Sequence, residues 1–114
     1  MSSILITGGG GFVGLALAEA IAARGDTAVA FDLSFPDEVA SSPRLQLMRG
    51  DVTDAAGVIA AVRSHGADRI IHAAAIVGIA PAVQLATTVV RVNVEGSINV
   101  FEAARILGVR RSDW

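Results

Sequence analysis

The sequence predicts an α/β fold, a parallel sheet with helices on both faces, and three observations predict it. Short apolar, strand-like runs begin near residues 4, 27, 45 and 69. Stretches with apolar residues at helical spacing separate them. A cluster of four glycines stands where the first run meets the first helix. Strands alternating with helices call for right-handed crossovers, and therefore for parallel neighbours. With 114 residues, 53% apolar and 18% charged, and a mean hydropathy of +0.59, the chain makes one globular domain and is not a disordered one.

Each element has its own signal. Ile4-Leu5-Ile6-Thr7 is a buried strand running into Gly8-Gly9-Gly10-Gly11. From Phe12 the spacing changes to Val13, Leu17 and Ile21, with Ala16 and Ala20 between. This is a helix with a closely packing stripe, closed by Gly25 as its C′ residue. Thr27 to Asp32 is the second strand, followed by a polar connection through Ser34, Pro36, Asp37 and Pro43. Leu45 to Arg49 is a weaker strand stopped by Gly50. Thr53 or Asp54 then caps a helix carrying Val58, Ile59 and Val62 to Gly66. Arg69 to Ala73 is the fourth strand. Gln84 to Leu107 is the longest helix, with Val90, Val94, Ile98 and Phe101 at helical spacing.

Composition excludes several function classes. There is no cysteine, which removes disulfides, thiolate metal sites and thiol nucleophiles and fits a reducing compartment. All nine basic residues are arginine, and tyrosine is absent, so no chemistry needing lysine or tyrosine resides in these residues. The net charge of -2 and the scattered arginines make no basic stripe, so nucleic acid is not an expected partner. The longest mostly apolar run, Ile70 to Val83, is interrupted by His72, Gly78 and Pro81. It falls short of the ~20 residues of a membrane span. The first basic residue is Arg24, too late for a signal peptide's charged start. A cytoplasmic protein without a membrane partner is expected.

The glycine cluster carries the chemistry. A pyrophosphate needs unblocked backbone N–H groups, a path free of Cβ atoms and the positive end of a helix dipole. The Gly8 to Gly14 segment offers all three, and reads either as Gly9-x-Gly11-x-x-Gly14 or as Thr7-Gly8-x-x-Gly11-x-x-Gly14. A tight strand-to-helix turn with no ligand needs similar residues. Context favours a dinucleotide: a strand precedes, a helix follows, and Asp32 stands about 20 residues on at a strand end. Asp32 would accept hydrogen bonds from the adenosine ribose hydroxyls and repel the extra 2′-phosphate of NADP. No arginine lies between Gly25 and Pro43 to receive that phosphate, so NAD is the expected cofactor. A lysine-dependent phosphate loop is excluded.

Assembled, these residues resemble the extended short-chain dehydrogenase/reductase family, the NAD-dependent epimerase/dehydratase group, from Ile4 to about Arg111. Thr7-Gly8-Gly9-Gly10-Gly11-Phe12-Val13-Gly14 is similar to that family's first turn. The resemblance selects the Thr7-Gly8 reading and implies cofactor contacts for Gly8, Gly11, Phe12, Val13 and Gly14. It implies a ribose role for Asp32, and an adenine border for Asp51 and Val52 within Gly50-Asp51-Val52-Thr53-Asp54. Alone, Asp51 reads as a turn residue. Ile71-His72-Ala73-Ala74-Ala75 resembles the family's fourth strand end, where Ala73, Ala74 and Ala75 let the backbone approach the cofactor. His72 itself reads as a packed or hydrogen-bonded imidazole, not a catalyst. Asn93, in Asn93-Val94-Glu95-Gly96-Ser97, resembles the family asparagine that supports the active site through backbone and water contacts.

The resemblance implies a Rossmann-type sheet of order 3-2-1-4. It also implies a serine or threonine after strand five and a tyrosine-x-x-x-lysine pair, and neither tyrosine nor lysine is present. No catalytic residue and no metal ligand is therefore assigned, and Ser112 is not taken as the catalytic serine. The expectation is an incomplete NAD-binding domain over residues 1–114, truncated before strand five, with strand four an uncovered edge and the substrate domain absent. That edge, or the long helix, would be the route to a homo-oligomer. The expected function is the NAD-binding part of an epimerase, dehydratase or dehydrogenase, inactive alone, with a small-molecule substrate only in a longer product. The competing reading is a non-catalytic NAD-binding sensor or partner module.

Overall fold

The computed structural model describes residues 2–73, 91–108 and 111–113. β1 (Ser3–Thr7) leads through the glycine turn into α1 (Phe12–Ala23), and β2 (Thr27–Asp32) and β3 (Leu45–Arg49) follow. Then come α2 (Ala55–His65), β4 (Arg69–His72), a π-helical turn (Arg91–Glu95), α3 (Gly96–Leu107) and β5 (Arg111–Asp113). All strand pairs are parallel and the sheet order is β3-β2-β1-β4-β5.

Strand alternation sorts side chains onto two faces. Leu5, Val29, Phe31 and Ile70 pack with Val52, Val58, Ala61, Val62, Val100 and Ala103 beneath α2 and α3. Ile4, Ile6, Ala28 and Ala30 face α1, meeting Ala18 and Ile21. A fully buried large aliphatic or aromatic side chain contributes about 1.5–3 kcal/mol, so the α2–α3 face carries the larger share of hydrophobic stabilisation. The α1 face is lined with alanines because α1 lies close to the sheet there. At its start a Cβ on Gly14 would stand 2.0 Å from the Gly8 carbonyl oxygen.

The helices on both faces stand as the sequence predicts, and the order 3-2-1-4 stands as the resemblance implies. The expected boundary does not: the chain enters a fifth strand, and Arg111, Ser112 and Asp113 pair with Arg69, Ile70 and Ile71. β4 is therefore not the edge, and association through an uncovered β4 is withdrawn with it. The Arg-Ser-Asp segment has no apolar alternation, whereas ladder pairing needs only backbone groups, so periodicity could not show it.

Two helical stripes also face differently. On α1 the buried row is Gly14, Ala18 and Ile21, while Val13 and Leu17 are exposed. The close approach at Gly14 sets the rotation of α1, and small residues occupy the near row. On α3, Gly96, Val100 and Ala103 are buried, while Ile98 and Phe101, with Val94 in the preceding π-helical turn, are about half exposed. A Cβ on Gly96 would stand 2.8 Å from Val52 Cγ2, so the small-residue row again makes the contact. Of the predicted helix from Gln84 to Leu107, residues 84–90, Val90 included, lie outside the described residues. Residues 91–95 form the π-helical turn.

α2 begins after Asp54, which makes no side-chain cap bond, and stops at Gly66 with φ +59. No described helix is long and apolar enough to cross a membrane.

Candidate functional site

The C-terminal ends of β1, β2 and β4 surround a hollow lined by Gly8, Gly11, Phe31, Asp32, Leu33, Gly50, Asp51, Val52, Ala73 and Val92. This is where parallel α/β sheets place ligands, because the crossovers leave in opposite directions on either side of β1.

The glycines have separable reasons. Gly8 has φ +69, a conformation that L side chains rarely adopt. A Cβ on Gly9 would stand 2.6 Å from Ala30 Cβ, and one on Gly10 would stand 2.1 Å from the Ser34 carbonyl oxygen. Folding alone therefore requires Gly8, Gly9, Gly10 and Gly14. Gly11 is different: its φ is -81, and a Cβ there would meet only the Gly8 oxygen, at 3.4 Å. Packing accepts a side chain at Gly11, yet the residue lines the hollow at the N-cap of α1. The first turn of α1 carries no acidic residue, so its positive dipole end is available to an anion.

Asp32 is held at the mouth of the hollow. Gly10 N–H donates to its Oδ2 at 2.9 Å and Leu33 N–H to its Oδ1 at 2.7 Å. These use two of the roughly four acceptor positions of a carboxylate. Asp51 Oδ1 accepts Thr53 N–H at 2.9 Å, the turn role that its sequence reads alone, while the residue also lines the hollow. Val52 is fixed from behind by Asn99, whose Nδ2 donates to the Val52 carbonyl at 2.8 Å.

The opposite wall is tied by a buried imidazole. His72 Nδ1 lies 2.6 Å from Thr7 Oγ1, and its Nε2 lies 3.1 Å from Ser97 Oγ, which donates to the Asn93 carbonyl at 2.7 Å. Burial pushes the His72 pKa below its ordinary value of 6.5. His72 is packed and hydrogen-bonded, as its sequence context predicts.

Of the residues singled out in the sequence, Gly8, Gly11, Asp32, Asp51, Val52 and Ala73 come together around the hollow. Phe12 and Val13 stand outside it, 94% and 62% exposed at the start of α1. Gly14 acts by packing beneath Gly8 and does not line the hollow. Asn93 is behind the lining, with its neighbour Val92 at the surface of the hollow. Ala74 and Ala75 lie outside the described residues. Sequence reasoning missed Thr7, Ser97 and Asn99 as wall-holding residues, and no periodicity marks them. It also missed Arg49, which stands beside Asp32 in register on β3, beyond the arginine-free stretch between Gly25 and Pro43. Among the described residues no group of three or more His, Asp or Glu side chains could hold a metal ion.

A parallel sheet with a glycine turn at a helix N-terminus and an acid closing the second strand defines a dinucleotide-binding α/β domain. Residues 4–112 match the NAD dependent epimerase/dehydratase family, and the chain belongs to it. It is 36% identical over 115 residues to the 3 beta-hydroxysteroid dehydrogenase/Delta 5→4-isomerase of Mycobacterium tuberculosis, with 97% of this chain and 30% of the relative covered. The enzyme WbmG of Bordetella bronchiseptica, crystallised in complex with NAD, superposes with a TM-score of 0.87 at 32% identity. That match covers 97% of this chain and 36% of WbmG. UDP-glucose 4-epimerase of Thermus thermophilus, also with NAD, gives 0.86 at 30% identity over 96% of this chain and 36% of its own. The chain thus spans about a third of the length of the proteins it matches.

Proposed function

We propose that this chain is the NAD-binding portion of an epimerase, dehydratase or dehydrogenase acting on a sugar nucleotide or another hydroxylated small molecule, and that it works in the cytoplasm. Gly11 is the observation that carries the cofactor reading. It is the glycine of the turn that folding does not require, and it stands at the dipole end of α1 beside the hollow. A ligand passing over the turn explains it, as a ligand-free turn does not.

In this reading Gly8 and Gly11 leave room for the pyrophosphate, and Asp32 accepts from the adenosine ribose. Asp51 and Val52 border the adenine, and Ala73 allows close approach from β4. Phe12 and Val13 lie over the start of α1, and Gly14 and Asn93 act from behind the surface. NAD supplies reversible hydride transfer. The chain's own residues bind and orient it, and without tyrosine or lysine they hold no proton-transfer pair of the family's kind. That step belongs to the protein as a whole, as does substrate choice. The proteins it matches include a 3 beta-hydroxysteroid dehydrogenase and a UDP-glucose 4-epimerase, and their names support a hydroxylated small molecule or sugar nucleotide as the substrate class.

The test is an NAD titration of this chain and of Gly11→Ala, with thermal unfolding of both. Alanine fits the backbone at residue 11, so the midpoint should hold while NAD affinity falls about tenfold or more. Equal affinity in both proteins overturns the reading.

A further inference from the structure

Gly8, Ala73 and Val92 line one wall of the hollow, and each is the direct chain neighbour of a residue in the buried relay: Thr7, His72 and Asn93. The relay is thus the stitching behind that wall. It joins the end of β1, the end of β4 and the π-helical turn, across 65 residues between Thr7 and His72 and 25 between His72 and Ser97. The backbone adds one bond, Ala73 N–H to the Thr7 carbonyl at 3.1 Å.

Proton bookkeeping sets the relay's direction. The Asn93 carbonyl can only accept, so the single Ser97 hydroxyl proton points at it. Ser97 Oγ must then accept from His72, which places the ring proton on Nε2. Nδ1 of a neutral ring has only a lone pair, so Thr7 Oγ1–H donates to it. The order is Thr7 O–H to His72, His72 N–H to Ser97, Ser97 O–H to Asn93, and each donor strengthens the next.

We propose that His72, locked as the neutral Nε2–H tautomer, is a positioning residue for NAD, setting the spacing of Gly8, Ala73 and Val92 through Thr7, Ser97 and the π-helical turn. The proposal rests on the NAD-binding reading above. Burial of the ring favours its neutral form, in agreement with that direction of donation.

The experiment has two arms on this chain. Long-range nitrogen-15 spectra of the His72 ring at pH 7 should show a pyridine-like Nδ1 and a protonated Nε2; a protonated Nδ1 or a charged ring overturns the proposal. This arm needs no cofactor, so it reports even if NAD fails to bind, which would sink the NAD reading alone. In the second arm NAD dissociation constants are compared for Thr7→Val, Ser97→Ala and the double variant, with Ser97→Thr as the rescue. Each single change should weaken NAD by about threefold to tenfold, the span of one hydrogen bond. The double variant should be no weaker than the weaker single, because the same relay is already broken. Ser97→Thr should restore binding. Losses that multiply, or no loss in Ser97→Ala, overturn the proposal; should Thr7→Val not fold, Ser97→Ala against Ser97→Thr decides.

Discussion

The two walls of the hollow are built in contrasting ways. On the β2–β3 side, Asp32, Gly50 and Asp51 are held chiefly by backbone amides close to them in the chain or on the adjoining strand. Leu33 N–H and Gly10 N–H reach Asp32, Thr53 N–H reaches Asp51, and Gly50 N–H reaches the Asp32 carbonyl at 2.9 Å. On the β4–α3 side, Gly8, Ala73 and Val92 depend on side chains drawn from three distant segments and joined at one imidazole. The first wall spreads its order over several separate backbone bonds. The second concentrates its order in His72, so a single change should loosen it as a unit.

The largest expected effect breaks the floor under both walls. Gly14→Val forces a side chain to within 2.0 Å of the Gly8 carbonyl, a backbone atom that cannot move cheaply. The cost should be about 3 kcal/mol or more in urea unfolding, with NAD binding lost alongside. Asp32→Ala comes next and separates binding from folding on the local wall. Removal of the acceptor of Gly10 N–H should cost about 1–3 kcal/mol of stability. The lost ribose contacts should weaken NAD by about tenfold in a calorimetric titration. With the carboxylate gone and Arg49 beside it, discrimination against NADP should shrink as well.

Asn99→Ala tests the side-chain tie that holds the first wall from α3. It leaves the Val52 carbonyl without that donor, and unfolding should show a loss of about 1 kcal/mol. The second wall should reveal itself in pH dependence. The folded-state pKa of His72 lies below its unfolded value, so the unfolded chain binds the proton more readily. That contribution to stability is complete well above pH 6.5 and is lost as pH falls below 6.5 toward the folded value. His72→Gln should flatten this part of a stability-versus-pH curve. The smallest effect is expected away from both walls. The Arg105–Glu102 pair on α3 is exposed on both sides, and Arg105→Ala should leave the unfolding midpoint unchanged within error.

Legibility in the sequence follows the same division. Asp32 was readable because it closes a strand, and Gly50 and Asp51 were readable as turn residues, the adenine role of Asp51 coming only from the resemblance. Thr7, Ser97 and Asn99 were not, since a hydroxyl or amide within a strand or helix looks alike whether it faces water or a buried partner. Val13 and Leu17 on α1, and Ile98 and Phe101 on α3, show the related limit: apolar spacing locates a helix but not its rotation. The close approaches at Gly14 and Gly96 decided that, through atoms contributed by other elements.

By itself the sequence determined the class of fold, the glycine turn and the acid at the end of β2, while the order of the first four strands came from the family resemblance. Period and turn chemistry are local properties, and they survive in a one-dimensional string. The tertiary structure alone decided which face of each helix is buried, that β4 is paired by β5, and that an imidazole joins three segments behind the hollow. Those outcomes depend on how closely backbones approach and on which donors meet which acceptors across the sheet, distances that no spacing along the chain encodes.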